Sequence, residues 1–413
     1  MSEQPTLRRH LHRETLRGGY PDACAAVLSP RMMEEARAEI ATWPGYAPTP
    51  LRRLDALQKA LGLSALWYKD EGARFGLDSF KALGGSYAVL ELAARTVEQT
   101  TGARPPMAEI RAGTHARALK DLTVVSATDG NHGRSVAWGA QMAGARCRIY
   151  IHRHVSAGRE AALAALGAEV IRVEGDYDQS VRQCAQEASE NGWSIVSDTS
   201  YEGYKDLPRF VMAGYTVMAA EAIERLREEG VGAPTHLVVQ AGVGGVAAAM
   251  AARFWAGFGP ARPHLIVVEP DRAACLIASA EQDAPASVAI AEETVMAGLS
   301  CGETSHLAWD ILSRGADDFV VIGEEGVPAM MKMLAEGRAG GGAIAAGESA
   351  VPGLLALIAL ARAPEAAAAC GLGPTSRVLC FGCEGATDRA IYEAMLADPA
   401  AEADLLAGVE AFA

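Results

Sequence analysis

The sequence predicts an α/β protein of two domains built on mostly parallel sheets. Three observations predict it. Short β-branched runs alternate with helix-like runs along most of the chain. At 413 residues the chain exceeds what one hydrophobic core usually holds, so two domains around one functional cleft are expected. Half of the residues are hydrophobic and 21% are charged, the composition of an ordinary globular protein.

The elements follow in order. Leu122–Ala127 (LTVVSA) reads as a strand, residues 130–133 as a turn and Ser135–Ala143 as a helix. Cys147–His152 reads as the next strand, Ala157–Leu166 as a helix, Glu169–Val173 as a third strand and Ser194–Ser197 as a fourth. The pattern returns with the strand His236–Gln240, a glycine loop and the helix Val246–Phe254. His264–Glu269 and Arg377–Phe381 add two more strands. Strands separated by helices are joined by right-handed crossovers into parallel sheets. There is no internal repeat. The segment Thr100–Lys120 reads as a surface insertion, and Arg338–Gly347 as a flexible loop with a glycine-rich turn. The longest apolar run, Val351–Ala361, is too short to span a bilayer.

A net charge of −14 argues against a nucleic-acid partner, because phosphate binding needs a basic face. The first residues lack the apolar stretch of a secretory signal. Eight cysteines scattered through so long a chain suit free thiols in a reducing compartment. A cytoplasmic protein with no membrane association is expected.

Four clusters carry chemistry. In Arg74–Tyr87 (RFGLDSFKALGGSY), Lys81 has apolar neighbours and opens a helical run, Ala82–Ala94. A helix N-terminus and partial burial both disfavour an ammonium, as a Schiff-base lysine requires. The alternative is a solvated lysine at a helix start. In residues 128–133 (TDGNHG), a strand-to-helix turn offers Asn131 as a donor and Asp129 as a base or an ammonium partner. The alternative there is an Asx-turn with a helix cap. His132 lacks a partner at metal-ligand spacing, and no metal site is expected. The loop Gly242-Val243-Gly244-Gly245, after a strand and before a helix, is built to cradle a phosphate. It also fits a dinucleotide fingerprint, with Glu269 as the ribose-binding acid, which leaves a nicotinamide or flavin enzyme open. Last, Cys380 and Cys383 form a lone CxxC; Cys383, just past a strand, reads either as a partner for a cofactor ring nitrogen or as an inert buried thiol.

These clusters, with the strings TDGNHGRSVAWGA, DTSYEGY, QAGVGG, MAGLSCGE and GES, resemble the fold-type II pyridoxal-phosphate (PLP) enzymes, the tryptophan synthase β-like family. Within it the resemblance is closest to diaminopropionate ammonia-lyases. The resemblance implies two open, mostly parallel twisted sheets with flanking helices, and the cofactor in the cleft between a large and a small domain. The implied boundaries are 1–85 with 210–413 for the large domain and 86–209 for the small one. It implies pyridoxal 5'-phosphate as cofactor, a small amino acid as substrate, α,β-elimination of ammonia from 2,3-diaminopropionate to pyruvate, and a homodimer.

The roles it implies are specific. Lys81 is the Schiff-base lysine, with Phe80 beside it in the cofactor site. Asn131 bonds the phenolic oxygen, Gly242, Val243, Gly244 and Gly245 hold the phosphate, and Cys383 faces the ring nitrogen. Asp129 and Asp198 match the carboxylates that serve the diamino substrate, Asp129 as a second base and Asp198 in orientation and proton handling. Four departures stand out: Asp78 where asparagine is common, Gly245 where serine is frequent, GESAVPG for GESGAV, and a Thr100–Lys120 stretch longer than the family suggests. A serine or threonine dehydratase, a β-replacement enzyme and a non-catalytic PLP-binding paralogue are the alternative readings on this fold.

Overall fold

The computed structural model describes residues 7–12, 15–128 and 130–412. The chain divides into two compact units, Met1–Pro30 with Pro48–Ser79 and Met218–Ala413, and Arg31–Ala47 with Phe80–Val217. The described residues contain eleven strands. They are β1 (Leu7–Leu11), β2 (Leu51–Arg53), β3 (Ala65–Asp70), β4 (Thr123–Ala127), β5 (Arg146–His152) and β6 (Glu169–Val173), then β7 (Ser194–Ile195), β8 (His236–Gln240), β9 (His264–Pro270), β10 (Asp318–Ile322) and β11 (Arg377–Gly382).

The first unit holds a seven-stranded sheet in the order β1-β10-β9-β8-β11-β3-β2. Its five inner strands run parallel, and β1 and β2 pair antiparallel at the two edges. β8 and β10 are buried along their whole length, as strands covered on both faces must be. The apolar run near residue 351 forms the helix Pro352–Ala361, every residue of it buried, which packs on β8, β9 and β10. No described helix is long and apolar enough to cross a membrane.

The second unit holds a four-stranded, wholly parallel sheet in the order β6-β5-β4-β7. Its two principal helices, Lys81–Thr101 and Asn131–Ala143, pack on each other. Between them Ser86 Oγ donates to the Ser135 carbonyl at 2.7 Å, and Ser135 Oγ accepts from the Ser86 amide at 2.9 Å. These bonds satisfy polar groups that burial would otherwise penalise.

The expected elements recur with shifted ends, each for a physical reason. The helix expected from Ser135 begins at Asn131, so Asn131, His132 and Gly133 form its first turn instead of a preceding loop. The strand expected over Ser194–Ser197 stops at Ile195, because the Ser197 amide donates to the Tyr204 hydroxyl at 3.0 Å. The helix after Lys81 runs on to Thr101 and ends at Gly102 in the left-handed region. The segment expected as a surface insertion carries two short helices, Met107–Arg111 and Ala116–Leu119, and buries Ile110 and Leu119. The glycine-rich block from Arg338 has no regular element and lies against the helix Asp55–Leu61, with the Ala339 carbonyl accepting from the Leu57 amide at 3.0 Å.

The first unit also encloses a charged cluster that no periodicity announces. Lys69, Glu71, Arg74 and Glu221 are all fully buried around Thr49. Arg74 donates to Glu71 at 2.7 Å and to both oxygens of Glu221 at 2.8 and 2.7 Å, and Lys69 donates to Glu221 at 2.6 Å. Burial pushes the Glu71 carboxyl up, yet Arg74 and Lys69 outweigh it and hold it below the usual carboxylate range. Two cations and two carboxylates close the charge balance, so the cluster tolerates burial only as a whole. Replacing Glu221 with leucine leaves two buried cations on one carboxylate. The expected loss of stability is about 3–5 kcal/mol, read as a lower midpoint in urea denaturation.

Candidate active site

The segment that leads to Lys81 is strained. After β3, Phe75 (φ 53°), Gly76 (φ 69°) and Asp78 (φ 56°) all occupy the left-handed region. Such residues cost about 1–2 kcal/mol each for most side chains, and aspartate and asparagine bear it best. The departure at position 78 is therefore conservative in conformation: both residue types suit that φ. The turn is anchored at one end by the buried Arg74 side chain. Its other end is anchored by the Asp78 carbonyl, which accepts from the Gly385 amide at 2.9 Å, and by a β-bridge between Ser79 and Glu384.

Two residues further on, Lys81 is the first residue of its helix. Phe80 at the cap is buried, its ring centroid 4.7 Å from that of Tyr215. Lys81 Nζ donates to Asp198 Oδ2 at 2.8 Å, in a pair where both side chains are about four-fifths covered. Asp198 thus supplies a counter-charge that stabilises the ammonium against the helix N-terminus. Burial pushes the Asp198 carboxyl up, but Lys81 and His132 outweigh it and hold it well below the usual carboxylate range.

His132, in the first turn of its helix, is buried, with Nε2 2.9 Å from the Val196 carbonyl and Nδ1 3.9 Å from Asp198 Oδ2. Asn131 precedes it at the helix start. Asp129 lies outside the described residues. Tyr204 braces the same segment: its hydroxyl donates to the Ile195 carbonyl at 2.8 Å and accepts from the Ser197 amide at 3.0 Å. The second unit therefore gathers Lys81, His132 and Asp198. Sequence reasoning missed His132 as an acid–base group and Tyr204 altogether. The string DTSYEGY was visible, but nothing one-dimensional says that its last tyrosine reaches back to residues 195 and 197.

In the first unit, β8 ends at Gln240 and the loop of residues 241–244 leads into the helix Gly245–Phe258. Gly244 caps that helix with φ 99°, a conformation that favours glycine. A Cβ on Gly242 would stand 2.8 Å from Cys301 Sγ, so backbone alone fits there. Amides at a helix start are the groups that hold an anion, and this loop leads into one. Gln240 Nε2 donates to the Phe381 carbonyl at 2.7 Å and to Cys383 Sγ at 3.2 Å. This bond ties the glycine loop to the buried Cys383, which lies just past β11. Cys380 lies inside β11, and all eight cysteines are free thiols.

Glu269, the acid that a dinucleotide reading aims at a ribose, is fully buried. It caps the helix Cys275–Gln282, accepting from the Leu276 and Ile277 amides at 2.7 and 2.8 Å. Its carboxylate is thus taken up inside the fold. Among the described residues, no group of three or more His, Cys, Asp or Glu side chains is placed to hold a metal ion. A surface hollow of about 1040 Å³ beside the helix Tyr177–Asn191, lined by Arg148, Glu187 and Trp193 among others, contains none of the residues above.

Known proteins match both units. Residues 42–383 match the family model for pyridoxal-phosphate dependent enzymes. The diaminopropionate ammonia-lyase of Escherichia coli strain K12 is 40% identical over 278 residues, covering 67% of this chain and 68% of the relative. The crystal structure of the holo diaminopropionate ammonia lyase from Escherichia coli superposes with a TM-score of 0.84 at 33% identity, covering 95% of this chain and 97% of that one. The same relative in complex with D-serine superposes with a TM-score of 0.83 at 32% identity, with the same coverage. A family match through both units, and a relative that shares the whole fold, make this chain a pyridoxal-phosphate dependent enzyme of the diaminopropionate ammonia-lyase family.

Proposed function

We propose that the protein eliminates ammonia from 2,3-diaminopropionate and, with one water consumed, yields pyruvate and a second ammonia. The observation that carries this reading is Lys81, held at the start of a buried helix by a carboxylate from the segment after β7. The residues present fit pyridoxal 5'-phosphate: an amine, a glycine loop at a helix N-terminus, and a buried thiol held by Gln240. When bound, that cofactor supplies a sink for the electron pair left at the substrate's α-carbon.

In this reading Lys81, with Phe80 beside it, would hold the cofactor and take the α-proton. Asn131 and the amides of Gly242, Val243, Gly244 and Gly245 would hold it by its polar groups, the glycine loop taking the phosphate. Cys383 would stand by the ring, where a thiol suits elimination, which does not demand a fully protonated ring. Asp198 keeps Lys81 oriented and handles its proton. Asp129 serves as a second base and as a partner for the substrate's β-ammonium. A crystal complex with D-serine in the Escherichia coli relative supports a site that admits D-amino acids. Assembly as a homodimer belongs to the same proposal, as does a cytoplasmic location, which eight free thiols support.

Three outcomes are expected. Lys81→Ala abolishes the visible absorbance of the cofactor-loaded protein and its turnover together; a retained band removes Lys81 from the site. Across a panel of 2,3-diamino and 3-hydroxy acids, ammonia and pyruvate form faster from diaminopropionate than from serine. Asp129→Asn lowers kcat on the D-substrate by about 100-fold or more, and by less on the L-substrate; equal losses defeat the two-base assignment.

A further inference from the structure

The proton on Lys81 needs a destination. An ammonium is neither a nucleophile toward an aldehyde nor a base, so the lysine must first become a neutral amine. Its hydrogen-bond partner, Asp198, is a poor final acceptor, because its neighbours hold the carboxyl well below the usual range.

His132 stands on the far side of that carboxylate. A backbone carbonyl only accepts, so the 2.9 Å contact between Nε2 and the Val196 oxygen fixes the proton on Nε2. Nδ1 is then either a bare lone pair or a second N–H. This atom is buried and has no hydrogen-bond partner among the described residues, and it lies 3.9 Å from the same Asp198 oxygen that Lys81 holds. With a neutral ring, an unsatisfied lone pair faces a carboxylate, an arrangement that burial makes costly. With a charged ring, Nδ1–H lies at ion-pair distance, 3.9 Å, from the carboxylate, and the attraction favours the charged form.

We propose that His132 is the proton store of this site, receiving through Asp198 the proton that Lys81 gives up. The balance is one proton moved and no change in summed charge: ammonium, carboxylate and neutral imidazole become amine, carboxylate and imidazolium. His132 acts through Asp198 and is a positioning residue for the proton. Burial, the largest influence, holds its basicity below that of an ordinary imidazole; Asp198 raises it, Lys81 lowers it, and the bond to Val196 raises it. Among the described residues the two charged groups that act on it are Asp198, from the segment after β7, and Lys81, at the start of the helix Lys81–Thr101. Around the next residue, Gly133, the neighbours from the end of β4, from β5 and from the helix Ala157–Ala165 are methyl groups of Thr128, Ile149 and Leu163.

The proposal rests on the reading of Lys81 as the cofactor lysine, and its test separates the two. The variant His132→Gln keeps a donor for the Val196 carbonyl but cannot take a proton. In the full chain freed of cofactor, the rate at which added pyridoxal phosphate develops the visible band is followed from pH 6 to 10. The variant is expected to be about tenfold or more slower near pH 7. The gap closes toward pH 10, where a lysine of ordinary pKa about 10.4 loses its proton unaided. Superimposable profiles for the two proteins overturn the proposal. Should the variant fail to fold, NMR of the His132 ring in the otherwise unaltered chain decides. Its titration is expected to move to higher pH in Lys81→Met, where the competing cation is gone, and an unmoved titration overturns the proposal. Loss of the proposed function itself shows separately, as a band retained in Lys81→Ala.

Discussion

A lysine amine held 2.8 Å from a partly covered carboxylate is the interaction on which the proposed chemistry depends. A helix N-terminus and partial burial disfavour an ammonium, and Asp198 favours it. The opposition sets three titratable groups close together, with His132 Nδ1 as the third, 3.9 Å from the same Asp198 oxygen. A site of this kind is tuned by placement. Shifting the carboxylate by an ångström changes which partner the proton prefers, since charge-assisted bonds weaken steeply with distance.

That placement is held by groups that do no chemistry. Tyr204 spans residues 195 and 197 with one hydroxyl, which ends β7 and fixes the backbone that presents Asp198. Ahead of Lys81, a turn with three residues at positive φ is clamped by Arg74 on one side and by the Gly385 amide on the other. Backbone strain persists only where surrounding bonds over-determine it, and here a buried four-charge cluster supplies them. In the first unit Gln240 has a comparable task. It ends β8, leads into the glycine loop and bonds Cys383, just past the neighbouring strand β11. Strand adjacency converts two distant stretches of sequence into one local structure.

Of the five inner strands of the seven-stranded sheet, β8, β9 and β11 were legible as short β-branched runs. β3 and β10 were not, although β10 is buried along its whole length. The edge strands were not legible. β1 reads LRRHL and β2 reads LRR, charged segments with no apolar period, and they become strands by pairing antiparallel with β10 and β3. Helix starts shifted for a similar reason: polar residues such as Asn131 look like turn residues until a helix N-terminus takes them up.

By itself the sequence determined the alternating architecture and singled out the lysine, the glycine loop and the carboxylates as candidates, because each rests on local pattern or on residue type. Only the tertiary structure decided which carboxylate meets the lysine, that Glu269 is spent on capping a helix, and that His132 faces Asp198 with an unpartnered nitrogen. Residues 81, 132 and 198 lie far apart along the chain. Their electrostatic coupling falls off within a few ångströms, so only the packing of strands and helices could bring it about.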